Sequence, residues 1–355
     1  NGNFSQEGSE LVVDGDFPLP NTYWVLGGGS EVTLNGLRIN NTIITGNSYA
    51  IQQLAGSLNG KQFVLTYDVI ETNGENIAIE QTSNISLNTS TVGTSRKIYF
   101  TWNRGDNYLT IKRLSANTDV TIDNVSVKEV GQDWSLGSGW SIGDGQAINT
   151  MSGVGNNLYQ ESVTSVGGNF KAVITTTISA GSVVVMLGGG SGGYNVIGEA
   201  TTSGTFTYYG VSNGTDNRIL LQTGNGTLVG SVSITSISVK EVGQDWTFGS
   251  GWSIGDGVAS CDGSQSSQSN LYQAGIVPIN NTYKVTFDIV VTSGSIILAI
   301  GGSNAQPTVS SSGTYTFTSK ATTGDSNLYF STNSTFIGSV TNISVKEITD
   351  DTDLP

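Results

Sequence analysis

The stretch Ser126-Val127-Lys128-Glu129-Val130-Gly131-Gln132-Asp133-Trp134 returns letter for letter as Ser238-Val239-Lys240-Glu241-Val242-Gly243-Gln244-Asp245-Trp246. A third, shorter copy reads Ser344-Val345-Lys346-Glu347-Ile348. Lys128, Lys240 and Lys346 stand 112 and 106 residues apart, the spacing of compact domains rather than of solenoid repeats. The repeat therefore predicts three tandem modules, 8–130, 131–242 and 243–348, each closing on the same strand, with 349–355 as a linker to a further region. Only Gly131, Gln132 and Asp133 separate one module's last strand from the next module's first, without a flexible Gly/Ser tract or a Pro spacer. So short a link predicts near-fixed neighbours and a rod, roughly 35 Å per module and on the order of 100 Å in all. That organisation points to a multivalent or spacer protein more readily than to a single active site.

Outward from the repeat, modules two and three match run by run. Asn157-Leu158-Tyr159-Gln160 answers Asn270-Leu271-Tyr272-Gln273, and Gly204-Thr205-Phe206-Thr207-Tyr208 answers Gly313-Thr314-Tyr315-Thr316-Phe317. Each run is short, alternates apolar with polar side chains and is bounded by Gly, Asn or Ser, which predicts half-buried antiparallel strands. Alternation turns Phe206, Tyr208, Tyr315 and Phe317 inward and the intervening threonines outward. About eight such strands per module predict an all-β fold of β-sandwich, jelly-roll domains. Trp140 and Trp252 recur with Trp24 and are expected in the sandwich core. In this matching, Gly27-Gly28-Gly29 of module one stands where modules two and three carry Gly-Asp-Gly.

Composition narrows the function. The chain has 355 residues, 48 Gly, 28 acidic and 14 basic residues, and a formal net charge of −14. Nucleic-acid binding needs a basic footprint that is lacking, and an anionic membrane surface is disfavoured for the same reason. The acidity serves solubility, or else cation binding. Cys261 is the single cysteine, so no intrachain disulfide forms. No apolar run is long enough to cross a membrane as a helix. The start at Asn1 and the lack of a signal-type apolar segment suggest a processed chain or one cut from a longer polypeptide.

The chain has no histidine, which removes the usual general base, the Ser–His and Cys–His arrangements and a principal zinc ligand. A paired-carboxylate glycosidase mechanism remains, but Asp144 and Asp256 sit in Gly-Asp-Gly hairpin turns, and Glu129, Glu241 and Glu347 follow Lys on the closing strands. The expectation is therefore no enzyme and no catalytic residue. Sugar rings stack on flat aromatic faces, and the candidates are Tyr99 and Tyr209, which alternation sets outward, and Tyr194, in a Gly-rich loop.

Module one opens Leu11-Val12-Val13-Asp14-Gly15-Asp16-Phe17 … Tyr23-Trp24 and closes Ile122-Asp123-Asn124-Val125-Ser126-Val127. These two motifs resemble the carbohydrate-binding modules of the family 4/9 type. The resemblance implies a jelly roll with a structural calcium bridging the opening segment and the closing strand. Asp16 and Asp123 would supply its two acidic ends in module one alone, since Thr235 and Thr341 replace the second acid in modules two and three. The Val-Ser-Val-Lys-Glu-Val wording and the tail Lys346–Pro355 also resemble tandem modules in tail-fibre-like virion proteins of marine bacteriophages. That resemblance implies an extracellular place on a virion surface, a polysaccharide and other virion or appendage subunits as partners, and homo-oligomeric assembly. A glycan-binding appendage of a secreted polysaccharide-degrading enzyme and a bacterial surface adhesin are the alternatives.

Overall fold

A computed structural model describes residues 4–41, 47–150, 155–224, 230–301, 305–322 and 324–349. Of the expected linker at 349–355, all but Thr349 lies outside the described residues. Among those described there is no helix. The strands form because their apolar residues recur every second place. In Asn169–Ile178, Phe170, Ala172 and Ile174 are buried while Lys171, Val173 and Thr175 are half-exposed.

The strands assemble into three sandwiches, each with its own core. In module two one sheet runs Trp140–Gly143, Gln146–Asn149, Val232–Glu241, Asn169–Ile178, Gly204–Val211. The facing sheet runs Ser135–Leu136, Asn157–Gln160, Ile219–Thr223, Val183–Gly189, Tyr194–Ala200. Successive strands swap between the sheets in the jelly-roll order; module one repeats it, and module three does so with four strands in its second sheet among the described residues. The closing strand (Asp119–Val130, Val232–Glu241, Ile337–Ile348) is central in each first sheet. Its pairing with the central neighbour slips by a bulge at the same place in all three, between Asp123 and Ser126 in module one.

Register across the modules differs from the sequence matching at two places. Val25 pairs with Ile51 as Ser135 pairs with Tyr159 and Thr247 with Tyr272. The counterparts of Trp24 are therefore Trp134 and Trp246, one strand earlier than Trp140 and Trp252, whose place in module one is held by Ser30. Likewise the Gly-Asp-Gly turn answers to Leu34-Asn35, the two-residue turn between Thr33 and Gly36, and not to Gly27-Gly28-Gly29. Trp24, Trp140 and Trp252 are all buried.

The two links are built alike. Gly131 and Gly243 take φ of 68° and 69°, and each accepts a 2.9 Å hydrogen bond from the indole residue's backbone, Trp134 or Trp246. A side chain at Gly131 would strike Ile142, and one at Gly243 would strike Ile254 and Phe248.

Candidate functional site

Three places carry candidate chemistry: the acidic turn of module one, the predicted tyrosines, and the outer face of the second sheets.

Asp16 belongs to the turn Asp14–Phe17, which lies over the bulge of the closing strand, where Val125 N donates to Gly15 O at 2.8 Å. Asp123 sits on that bulge and accepts from the backbone N of Asn124 at 2.8 Å. Burial pushes the Asp123 carboxyl above the usual carboxylate range, and the negative charges of Asp16 and Asp68 push it further. The fold thus brings the two predicted acids within electrostatic reach. Asp68, the third acid, has other work: its oxygens accept from Ser95 N at 2.6 Å and from Asn124 Nδ2 at 2.8 Å. Asn124 is left-handed (φ 51°), so Asp68 clamps the strained residue of the bulge. Module three repeats this clamp with Asp288 and Asn342, 2.7 Å apart, whereas module two has Thr175 and Ser236 at those places. Among the described residues no group of three or more His, Cys, Asp or Glu side chains is arranged to hold a metal. Asp16 and Asp123 offer two carboxylates toward the six to eight oxygens of a calcium shell. In modules two and three the replacing hydroxyls bond locally, Thr235 to Thr175 O and Thr341 to Gly257 O.

Tyr99 and Tyr209 are equivalent, facing Val64 and Lys171 across homologous strands. Neither offers a free platform. A Cβ on Gly143 of module two would lie 3.1 Å from the Tyr99 ring, and one on Gly255 of module three 2.9 Å from the Tyr209 ring. Each tyrosine is half-buried against the next module's first hairpin, and the Tyr209 hydroxyl donates to Asp256 at 3.4 Å. The outward direction was legible; the covering neighbour was not. Module three carries Thr318 at this place, and module one carries Thr33 where the receiving glycine stands.

Tyr194 is the exposed one, at 41%. Its hydroxyl accepts from Arg218 Nη1 at 3.2 Å, and the same guanidinium lies 4.8 Å over the Tyr159 ring while pairing with Asp216 and Glu161. This aromatic and charged shelf covers the outer face of module two's second sheet. On the same face of module three Tyr272 packs on Tyr329 with centroids 4.9 Å apart, and the Tyr329 hydroxyl is tied to Asp325 and Asn327. Tyr159, Tyr272, Tyr329 and Arg218 were missed from sequence, although the repeated outward tyrosine of Asn-Leu-Tyr-Gln was the available signal.

The remaining reactive groups are structural. Cys261 is buried beside Gln265, and burial pushes its thiol up, away from the reactive thiolate. Asp144 and Asp256 occupy two-residue hairpin turns with φ of 49° and 52°.

No protein-family model and no curated protein matches the sequence. Among solved structures the chain is similar to a protein with the triple jelly roll fold in the turret assembly of an archaeal virus, at 12% identity over 90% of each chain with a TM-score of 0.21. It is also similar to a truncated AlyQ with CBM32 and alginate lyase domains, at 10% identity over 66% of this chain and 98% of that one, with a TM-score of 0.20. At these values neither likeness bears on function.

Proposed function

We propose that this chain is a non-enzymatic structural and adhesive segment of a phage fibre or similar surface appendage, in which three jelly rolls are locked end to end as a stiff spacer. The repeated junction carries this reading. At both links the same tyrosine lies on the same receiving glycine, beside the same three-residue turn. Two equivalent locks hold each module at one orientation to its neighbour, which a spacer needs and a set of independent domains does not. The absence of histidine from the sequence fits the reading that catalysis is not its task. Small-angle scattering of the full chain tests it: a stiff rod gives a maximum dimension on the order of 100 Å. A double variant, Tyr99→Ser with Tyr209→Ser, is expected to broaden the distance distribution. A compact wild-type profile, or one the double variant leaves unchanged, would sink the proposal.

A second reading, a glycan-binding appendage of a secreted polysaccharide-degrading enzyme, is favoured by the shelf of Tyr194, Arg218 and Tyr159. Flat rings beside hydrogen-bonding groups suit a sugar's faces and hydroxyls. Screening the chain against polysaccharides, with Tyr194→Ala and Arg218→Ala as controls, tests it; binding indifferent to both variants rules this shelf out. Calcium is proposed as a structural ion of module one, held by Asp16 and Asp123.

A further inference from the structure

In each sandwich the hairpin strand beside the closing strand pairs with only its first half, so the far edge of the second half must be covered from elsewhere or left open. In module one the far edge pairs with Gly36–Asn40 only as far as Ile122. Beyond that point the chain's own N-terminal segment covers it. The strand Glu7–Glu10 pairs with the end of the closing strand, and Leu11 N donates to Val127 O at 3.0 Å. Val13 exchanges two hydrogen bonds with the Gln52 side chain, at 2.9 and 2.7 Å. Gly15 O takes Val125 N, and Phe17 packs on Trp24 with centroids 5.2 Å apart. Val12 and Phe17 are buried as a result.

In module two the same groove receives Phe4. Its ring is 3% exposed and lies 5.1 Å from Trp134, the counterpart of Trp24, at an interplanar angle of 46° against 47° in module one. Phe4 N also donates to Gly145 O at 3.3 Å.

In module three the equivalent groove is open, with a volume of about 610 Å³. Trp246, Gln273, Ile343 and Val345, which line it, are the counterparts by register of Trp24, Gln52, Val125 and Val127. Val125 and Ile237 are buried in modules one and two, but Ile343 is half-exposed. Among the described residues no strand pairs with the far edge of Ile337–Ile348 beyond Val340.

We infer that the groove of module three is an acceptor for an extended strand from another polypeptide, carrying aliphatic residues ahead of a phenylalanine that seats on Trp246. Strand addition at an open edge supplies main-chain hydrogen bonds, and the groove reads the side chains. The groups that receive the filler of module one are all repeated. Ser344 and Val345 stand where Ser126 Oγ and Val127 N hold the Glu10 carboxylate. The described N-terminal segment of a second copy is engaged elsewhere: residues 7–17 lie on module one and Phe4 on module two.

The test uses the full chain and a fluorescent peptide of residues 9–18, Ser-Glu-Leu-Val-Val-Asp-Gly-Asp-Phe-Pro, as the probe. Polarisation should rise and saturate at one peptide per chain. Phe17→Ala in the peptide should weaken binding by about tenfold or more. Trp246→Ala in the chain should remove it, as should Val345→Lys at a half-exposed position on the rim of the core, each checked by the module's unchanged melting transition. No saturable binding up to about millimolar peptide overturns the inference. So does binding that ignores both chain variants, which would place the peptide elsewhere. Self-association of the chain without peptide, lost in Trp246→Ala, would overturn it in favour of a second copy as the occupant.

Discussion

Modules one and three are the same jelly roll built on the same closing strand, yet one seals its side with the chain that precedes it and the other leaves that side open. The difference lies outside the sandwich. Module one is preceded by a strand and a turn, Glu7–Phe17, long enough to run down the far edge and drop an aromatic on Trp24. Module three is preceded by Gly243-Gln244-Asp245, which suffices to turn a corner and no more. The fold therefore tolerates an unpaired half-edge, and what covers it is modular. Module two lies between the two cases, with Phe4 arriving from a segment more than a module away in sequence.

This comparison breaks most directly at the two phenylalanines. Phe17→Ala should lower the stability of module one by about 3–5 kcal/mol, since it empties a sealed aromatic site. Phe4→Ala should weaken module two by about 3 kcal/mol, at the lower end because the strap can withdraw into water instead of leaving a closed cavity. Neither should move module three. Calorimetry of the full chain, with transitions assigned from the variants, is the measurement; losses under about 1 kcal/mol would mean the rings rest on the surface.

The architecture was legible in the sequence because period-2 alternation and a repeated closing strand are local signals. Register across modules was less so. In the sequence Trp24 reads as the counterpart of Trp140, whereas the strand partners Ile51 and Tyr159 show that it answers to Trp134. The outward direction of Tyr99 and Tyr209 follows from alternation, but what covers them is a glycine on another module, which pattern alone does not reveal. Phe4 and the Asp68–Asn124 clamp are non-local in the same way: each joins residues far apart in the chain, and no run of neighbouring residues announces the contact. The pairing of Asp16 with Asp123 came from a resemblance, and the turn over the bulge accounts for it physically.

The junctions sharpen the contrast at smaller amplitude. The first is strapped by Glu7–Glu10 and Phe4 as well as locked by Tyr99 on Gly143; the second has Tyr209 on Gly255 and no strap. A side chain at either glycine pushes the tyrosine away. Gly255→Val should therefore loosen the second link, by about 1 kcal/mol of coupling, more than Gly143→Val loosens the first. Residual dipolar couplings or scattering would register this as greater inter-module freedom in the Gly255 variant. Equal effects would show that the strap adds nothing to the first junction.

The smallest effect separates the modules by the sign of a pH response. In module one the Asp123 carboxyl is raised, first by burial and then by Asp16 and Asp68. Its native form binds a proton more tightly than its unfolded form, so its contribution to stability is complete below the ordinary carboxylate value near 4 and is lost as pH rises through its raised folded value. In module three Thr341 carries no charge at that place, and the Asp288 carboxyl is instead lowered by hydrogen bonds from Asn342 and Thr314. Its contribution is present above the ordinary value and is lost as pH falls through the lowered one. Mild acidification in chelator should thus favour module one at Asp123 while leaving module three level until more acid conditions weaken it. The gain in module one should stay below about 1 kcal/mol, because Asp123 is partly solvated and its repulsion screened. Asp123→Asn should flatten the response of module one. Calcium at neutral pH should replace the proton, relieving the same repulsion and erasing the benefit of acid. A response that survives Asp123→Asn would remove this carboxylate from the acid response, and one unchanged by calcium would remove it from the ion site.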